Sequence, residues 1–120
     1  MSAGPALAAA VPVLRIYDRA KALEFYCDFL GCTLDWEHRF ADDLPLYMQV
    51  SRGGMILHLS EHYGDGTPGS VVWVKVTEPR ALFAELLAKQ ARFARPGANK
   101  DEATLTDPFG NMIRFVGSRG

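Results

Sequence analysis

A single imidazole interrupts the apolar run Gly-Gly-Met-Ile-Leu-His-Leu-Ser-Glu-His at 53–62. In an extended chain alternate side chains share a face, so His58 lies with Ile56 and Ser60 while Met55, Leu57 and Leu59 take the other side. A histidine so placed can ligate a metal, hydrogen-bond a bound molecule, or be satisfied by a neighbouring strand. A chelate with His62 is out of reach if the strand persists, because four extended residues span roughly 13 Å at about 3.3 Å each. Arg114 and Arg15 also fall on strand-forming runs, and a guanidinium inside a fold requires a carboxylate or an anionic ligand group beside it unless it reaches water. Trp36, Tyr47 and Trp73, on three further β-prone runs, supply flat rings of the kind that line grooves for extended, amphipathic ligands. Asp42, Asp43, Glu61 and Asp65, in or beside loops, would meet a cationic group at the mouth of such a groove.

Other chemistries are poorly supplied. No glycine-rich phosphate loop joins a strand to a helix, no serine stands in a nucleophile elbow, and no Cys-His pair has supporting context. Cys27 and Cys32 match neither a zinc pattern nor a secreted disulfide framework and read as reduced, buried thiols. A formal net charge of −1 with interspersed signs offers no stripe to nucleic acid or to an anionic membrane. The 120 residues, 48% apolar and 22% charged, make about one globular domain. No run reaches the roughly 18 apolar residues of a transmembrane helix. The Ala-rich segment 1–10 lacks the positive start of a signal peptide, so it is expected to be a flexible tail before a single cytoplasmic domain over 11–120.

The elements that position these residues follow from patterning. Val11 to Tyr17 reads as a strand with Pro12 near its start. Asp18 caps a helix over Arg19 to Leu30 whose apolar residues recur at three and four places, and Gly31 stops it. Thr33 to His38, Leu46 to Val50 and Met55 to Ser60 are short strands separated by turn chemistry, and 62–69 is a Gly- and Pro-rich loop. The order then begins again. Ser70 to Val76 is a strand, Thr77 caps a helix over Arg80 to Lys89 with Pro79 in its first turn, and strands follow over Arg92 to Arg95, Ala103 to Thr106 and Asn111 to Val116. Asp107-Pro108-Phe109-Gly110 suits a type I turn. A shift of fifty-nine places lays Lys21-Ala22-Leu23 on Arg80-Ala81-Leu82, and one of fifty-six lays His58 on Arg114. The chain is therefore expected to be α+β, with two tandem βαβββ units at about 11–61 and 70–116.

Val-Leu-Arg-Ile-Tyr-Asp at 13–18, Ala-Leu-Glu-Phe-Tyr at 22–26, Phe-Leu-Gly-Cys-Thr-Leu at 29–34, Leu-His-Leu-Ser-Glu-His at 57–62 and Thr-Asp-Pro-Phe-Gly-Asn at 106–111 resemble the glyoxalase, bleomycin-resistance and extradiol-dioxygenase superfamily, also called vicinal oxygen chelate proteins. The Leu-His-Leu-Ser-Glu-His run is most similar to the bleomycin-resistance branch. The resemblance implies mixed sheets curled into cups with helices on the outside, and a cavity shared in a homodimer. In the superfamily's metal enzymes the ligands come from the first and last strands of each unit. Those positions here hold Val11, His58, Ser70 or its neighbour Val71, and Arg114, of which His58 alone is a good donor.

The resemblance therefore implies a bleomycin-resistance-like protein that sequesters an amphipathic or cationic small molecule, bleomycin-type, in a dimer-interface groove. No catalytic residue, metal ligand or cofactor is expected. The alternative is a metal-dependent lyase, isomerase or dioxygenase recruiting His58. Ligand-binding residues are expected to be His58, Arg114, Trp36, Tyr47, Ser60, Arg15 and Trp73. Partners are expected to be the ligand and a second copy, with neither nucleic acid nor membrane.

Overall fold

The computed structural model describes residues 4–90 and 102–117. Strand β1 (Val13–Arg15) is followed by helix α1 (Arg19–Leu23), which passes into a π-helical stretch (Glu24–Phe29). Strands β2 (Thr33–His38), β3 (Tyr47–Arg52) and β4 (Met55–Ser60) complete the first unit. The second holds β5 (Val71–Val76), helix α2 (Pro79–Gln90), β6 (Glu102–Thr106) and β7 (Met112–Gly117). The expected strand over 92–95 lies outside the described residues.

The two sheets carry the repeat. The first has the order β1-β4-β3-β2 and the described part of the second β5-β7-β6, the same pattern less its last strand. In each, the first strand pairs in parallel with the last and the remaining described pairings are antiparallel, so both sheets are mixed. Parallel pairing sets Val13 beside His58 and Trp73 beside Arg114. With His58 laid on Arg114, β1 and β5 repeat at sixty places rather than fifty-nine. The same offset lays buried Ala22 on buried Leu82, whereas fifty-nine lays Ala22 on exposed Ala81. Val71, not Ser70, is thus the counterpart of Val11.

Several ends differ from expectation for plain reasons. Strand β1 is shorter than 11–17, because Pro12 has no N–H to donate and contributes only its carbonyl, to His58 N at 3.0 Å. Asp18 does cap α1, accepting from Lys21 N at 2.9 Å. At α2 the first helical bond runs from Leu82 N to Glu78 O. Glu78 rather than Thr77 therefore holds the N-cap place, and Pro79 opens the helix, where its missing N–H costs nothing. The second half of the expected α1 is wound as a π-helix, with Leu30 N bonded to Phe25 O at 2.9 Å. Phe25, Tyr26, Phe29 and Leu30 are all buried along it.

One face of each sheet is committed to the core. Leu14, Met48, Val50, Leu57 and Leu59 from the first unit, and Leu105, Ile113 and Phe115 from the second, join the helix residues Ala22, Phe25, Tyr26, Phe29, Leu82 and Leu86 in one buried cluster. The opposite face of each sheet stays open. It carries Ile56 and Trp36 on the first sheet and Val71 and Trp73 on the second, all exposed.

Candidate functional site

The ladder assembles the site in rows across the open face of the first sheet. Val13, His58, Gln49 and Trp36 form one row, and Arg15, Ser60, Tyr47 and His38 the next. Trp36 reaches this face only because of a β-bulge between Leu34 and Trp36. Strict alternation would give both residues one face, and Leu34 packs against the core. Asp35 is the extra residue, and after it the alternation resets.

Three rings then meet. Trp36 stacks on Tyr47 with centroids 6.0 Å apart and planes 10° apart, and each of them stands edge-on to His58, at 5.4 and 5.1 Å. Trp36 remains 43% exposed, so the platform offers ring surface to a bound molecule.

Both nitrogens of His58 are engaged. Nδ1 lies 2.7 Å from the Tyr47 hydroxyl and Nε2 lies 2.9 Å from Gln49 Oε1. The Gln49 amide donates in turn to Asp35 Oδ2 at 3.1 Å. Hydrogen bonds from Ser51 and Gln49 hold the Asp35 carboxyl below its ordinary range. Burial, with a smaller contribution from the Asp65 charge, pushes the Tyr47 hydroxyl up. Gln49 and Asp35 had no signal in the sequence beyond lying on β-prone runs, because only the register and the bulge bring them to His58.

The other expected residues are distributed as follows. Ser60 is fully buried; its hydroxyl donates to Asp65 Oδ2 at 2.9 Å and accepts from His62 N at 3.0 Å, so it braces the loop after β4. Arg15 donates to His62 O at 2.6 Å and lies 5.1 Å from the Tyr17 ring centre. Its Nε is buried with no hydrogen-bond partner among the described residues. Arg114 and Trp73 sit side by side on the second sheet, not with His58. Arg114 Nε lies 3.5 Å from Glu102 Oε1, and Trp73 is 54% exposed.

A metal does not fit the family positions. Val11 and Val71 have no donor, Arg114 is a cation facing Glu102, and the His58 nitrogens are spent on Tyr47 and Gln49. Among the described residues no group of three or more His, Cys, Asp or Glu is placed to hold an ion. Cys32 is buried, and desolvation pushes its thiol up to about 12, which makes it a poor nucleophile at neutral pH. A half-open cavity of about 450 Å³ lies elsewhere, between Leu30, Met55, Leu82 and Phe115 with the Arg52–Glu85 ion pair at its side. That cavity borders none of the open-face aromatic residues.

A family model described as a glyoxalase superfamily protein matches residues 5–120. The chain belongs to the glyoxalase superfamily. No curated protein matches it. Among solved structures it is similar to the bleomycin-binding protein from the bleomycin-producing Streptomyces verticillus complexed with copper(II)-bleomycin, with a TM-score of 0.68 at 26% identity over 96% of this chain and 99% of that one. A bleomycin resistance determinant encoded on the transposon Tn5 gives 0.70 at 17% identity, over 95% and 100%. Glyoxalase I of Leishmania major gives 0.66 at 18%, over 88% and 82%. These likenesses bear out the expected fold and its bleomycin-resistance-like branch of the glyoxalase superfamily. No described helix is long and apolar enough to cross a membrane.

Proposed function

We propose that this glyoxalase-superfamily chain is a cytoplasmic protein that binds a small amphipathic molecule of the bleomycin type and acts by sequestering it without turnover. The observation that carries the reading is the Trp36–Tyr47–His58 platform, an aromatic surface on the open side of a sheet whose other side is closed by the core. Trp36 and Tyr47 take the flat part of the ligand, and Arg15 stands one row away. Trp73 and Arg114 form a comparable open surface on the second sheet. A second copy, bringing such a surface against the first, encloses a groove that one chain leaves open. The bleomycin-binding protein of Streptomyces verticillus, similar in fold and recorded with that drug, supports the ligand class.

Metal-free bleomycin is the probe. It should raise Tm with dose, because a ligand held only by the folded chain stabilises it by mass action, about 2.7 kcal/mol at a hundredfold excess over Kd. Trp fluorescence should change with one-to-one stoichiometry per chain, and sedimentation should give a dimer. An unmoved Tm with unmoved fluorescence would overturn the ligand class. A transition metal near one per chain after purification without chelator would overturn sequestration in favour of metal-dependent catalysis.

A further inference from the structure

The hydrogen bonds around His58 have directions that their distances alone do not state. A carboxylate only accepts, so Asp35 Oδ2 must face the NH₂ end of Gln49, 3.1 Å away. That leaves the carbonyl Oε1 of Gln49 turned to His58 at 2.9 Å. A carbonyl also only accepts, so the imidazole proton sits on Nε2. A neutral imidazole has no second N–H, and Nδ1 is then an acceptor. The hydroxyl of Tyr47, 2.7 Å away, must donate to it. A hydroxyl has one proton to give, and here it is spent inside the chain.

We infer that Asp35 and Gln49 are positioning residues that set the polarity of the ligand site, so that Tyr47 meets the ligand as an acceptor and selects a ligand bearing an N–H donor, such as an amidinium or ammonium group. This rests on the reading of the platform as a ligand site. The neighbouring groups agree on balance. From the loop, Asp65 places negative charge near Tyr47, and His62 stands 6.2 Å from its ring. From β4, Ser60 is spent on Asp65 and His62 N. From β2, His38 is paired in register with Tyr47 but lies edge-on to Phe40. Arg15 is an opposing charge, and Arg39 is paired with Glu61. Arg15 sits across β4 from Tyr47, with Nη1 committed to His62 O.

The test has two arms at pH 8. In the full-length protein with ¹⁵N-labelled histidine, long-range ¹H–¹⁵N correlations should show His58 as a single Nε2–H tautomer. Asp35→Ala, at an exposed position, and Gln49→Leu should each convert it to a mixture. A protonated Nδ1 in the parent protein, or an unchanged tautomer in both variants, would overturn the relay.

In the second arm benzamidine and benzoate serve as matched rings carrying a donor head and an acceptor head, followed by the NMR signals of Trp36, Tyr47 and His58. Benzamidine should bind at least about tenfold tighter, the worth of one charge-assisted hydrogen bond. That ratio should fall below about threefold in Tyr47→Phe and in Asp35→Ala. Equal binding of both probes at these signals would leave the ligand site standing and overturn its polarity. If neither probe moves them, the ligand-site reading falls and the polarity falls with it.

Discussion

Asp107 shows how much a single side chain of this fold can carry. In the sequence it opens the Asp-Pro-Phe-Gly turn, and Gly110 N does return to Asp107 O at 3.2 Å. Its buried carboxylate does more. Oδ1 accepts from the backbone of Phe109 and Asn111, both at 2.8 Å. Oδ2 accepts from the Asn111 amide at 2.9 Å and from the Tyr26 hydroxyl at 2.6 Å, eighty-one places away in the other unit. Asn111 also donates to Arg15 O at 2.8 Å, tying the same turn to β1. Burial together with the Asp107 charge pushes the Tyr26 hydroxyl well above its ordinary range, so it stays a donor. Asp107→Ala strands four donors, two of them backbone, and should cost about 3 kcal/mol or more. Urea unfolding measures this. Tyr26→Phe, which leaves the other three bonds intact, should cost only about 1–2 kcal/mol. Equal losses in the two variants would mean that the backbone bonds of the turn contribute nothing.

At the scale of elements, the loop after β4 decides whether the first sheet keeps a defined rim. Gly66 has φ +65, and a Cβ there would come within 2.8 Å of Val13 O and 3.1 Å of Arg15 N. Gly66→Ala should therefore cost about 2 kcal/mol or more, since both the left-handed backbone and a backbone contact oppose it. Gly64→Ala, at φ +94 with nothing within 4 Å of the added carbon, meets the backbone penalty alone and should cost less. Thermal melts of the two variants compare the terms. The same elements explain what could be read in advance. Apolar alternation places Leu57 and Leu59 opposite His58, and the structure does bury the first two and leave His58 half-buried. Element order shows the repeat, because each unit must hide the same kind of face. Alternation cannot show an inserted residue, so the bulge at Asp35 that swings Trp36 beside Tyr47 was invisible, and Gln49 and Asp35 with it. Nor does a three-and-four spacing distinguish an α-helix from the π-helical stretch Glu24–Phe29, since either winding buries Phe25, Phe29 and Leu30.

For the whole molecule, the repeat suggests two units, whereas their packing argues for one cooperative body. Residues of both sheets and both helices share a single buried cluster, and hydrogen bonds cross between units, among them Tyr26 to Asp107, Asn111 to Arg15 O and Lys89 Nζ to Phe29 O. Arg52 of β3 adds a bidentate ion pair to Glu85 of α2, at 2.9 Å for each bond. Half-exposed, that pair contributes little to stability but fixes how the units meet. Removing either unit would expose the core face of the other, so partial unfolding loses nearly the whole apolar gain while recovering only part of the chain entropy. The two tryptophans test this, because Trp36 reports on the first unit and Trp73 on the second. In Trp36→Phe and Trp73→Phe variants, fluorescence unfolding curves should share one slope m, each reporting a single transition that coincides with circular dichroism. Leu86→Ala, deep in the shared cluster on α2, should then move the transitions seen by both reporters equally, by about 2–5 kcal/mol. A shift confined to the Trp73 signal would show that the second unit unfolds on its own. The groove proposed between copies would then have to form from a chain whose two open faces are not rigidly related.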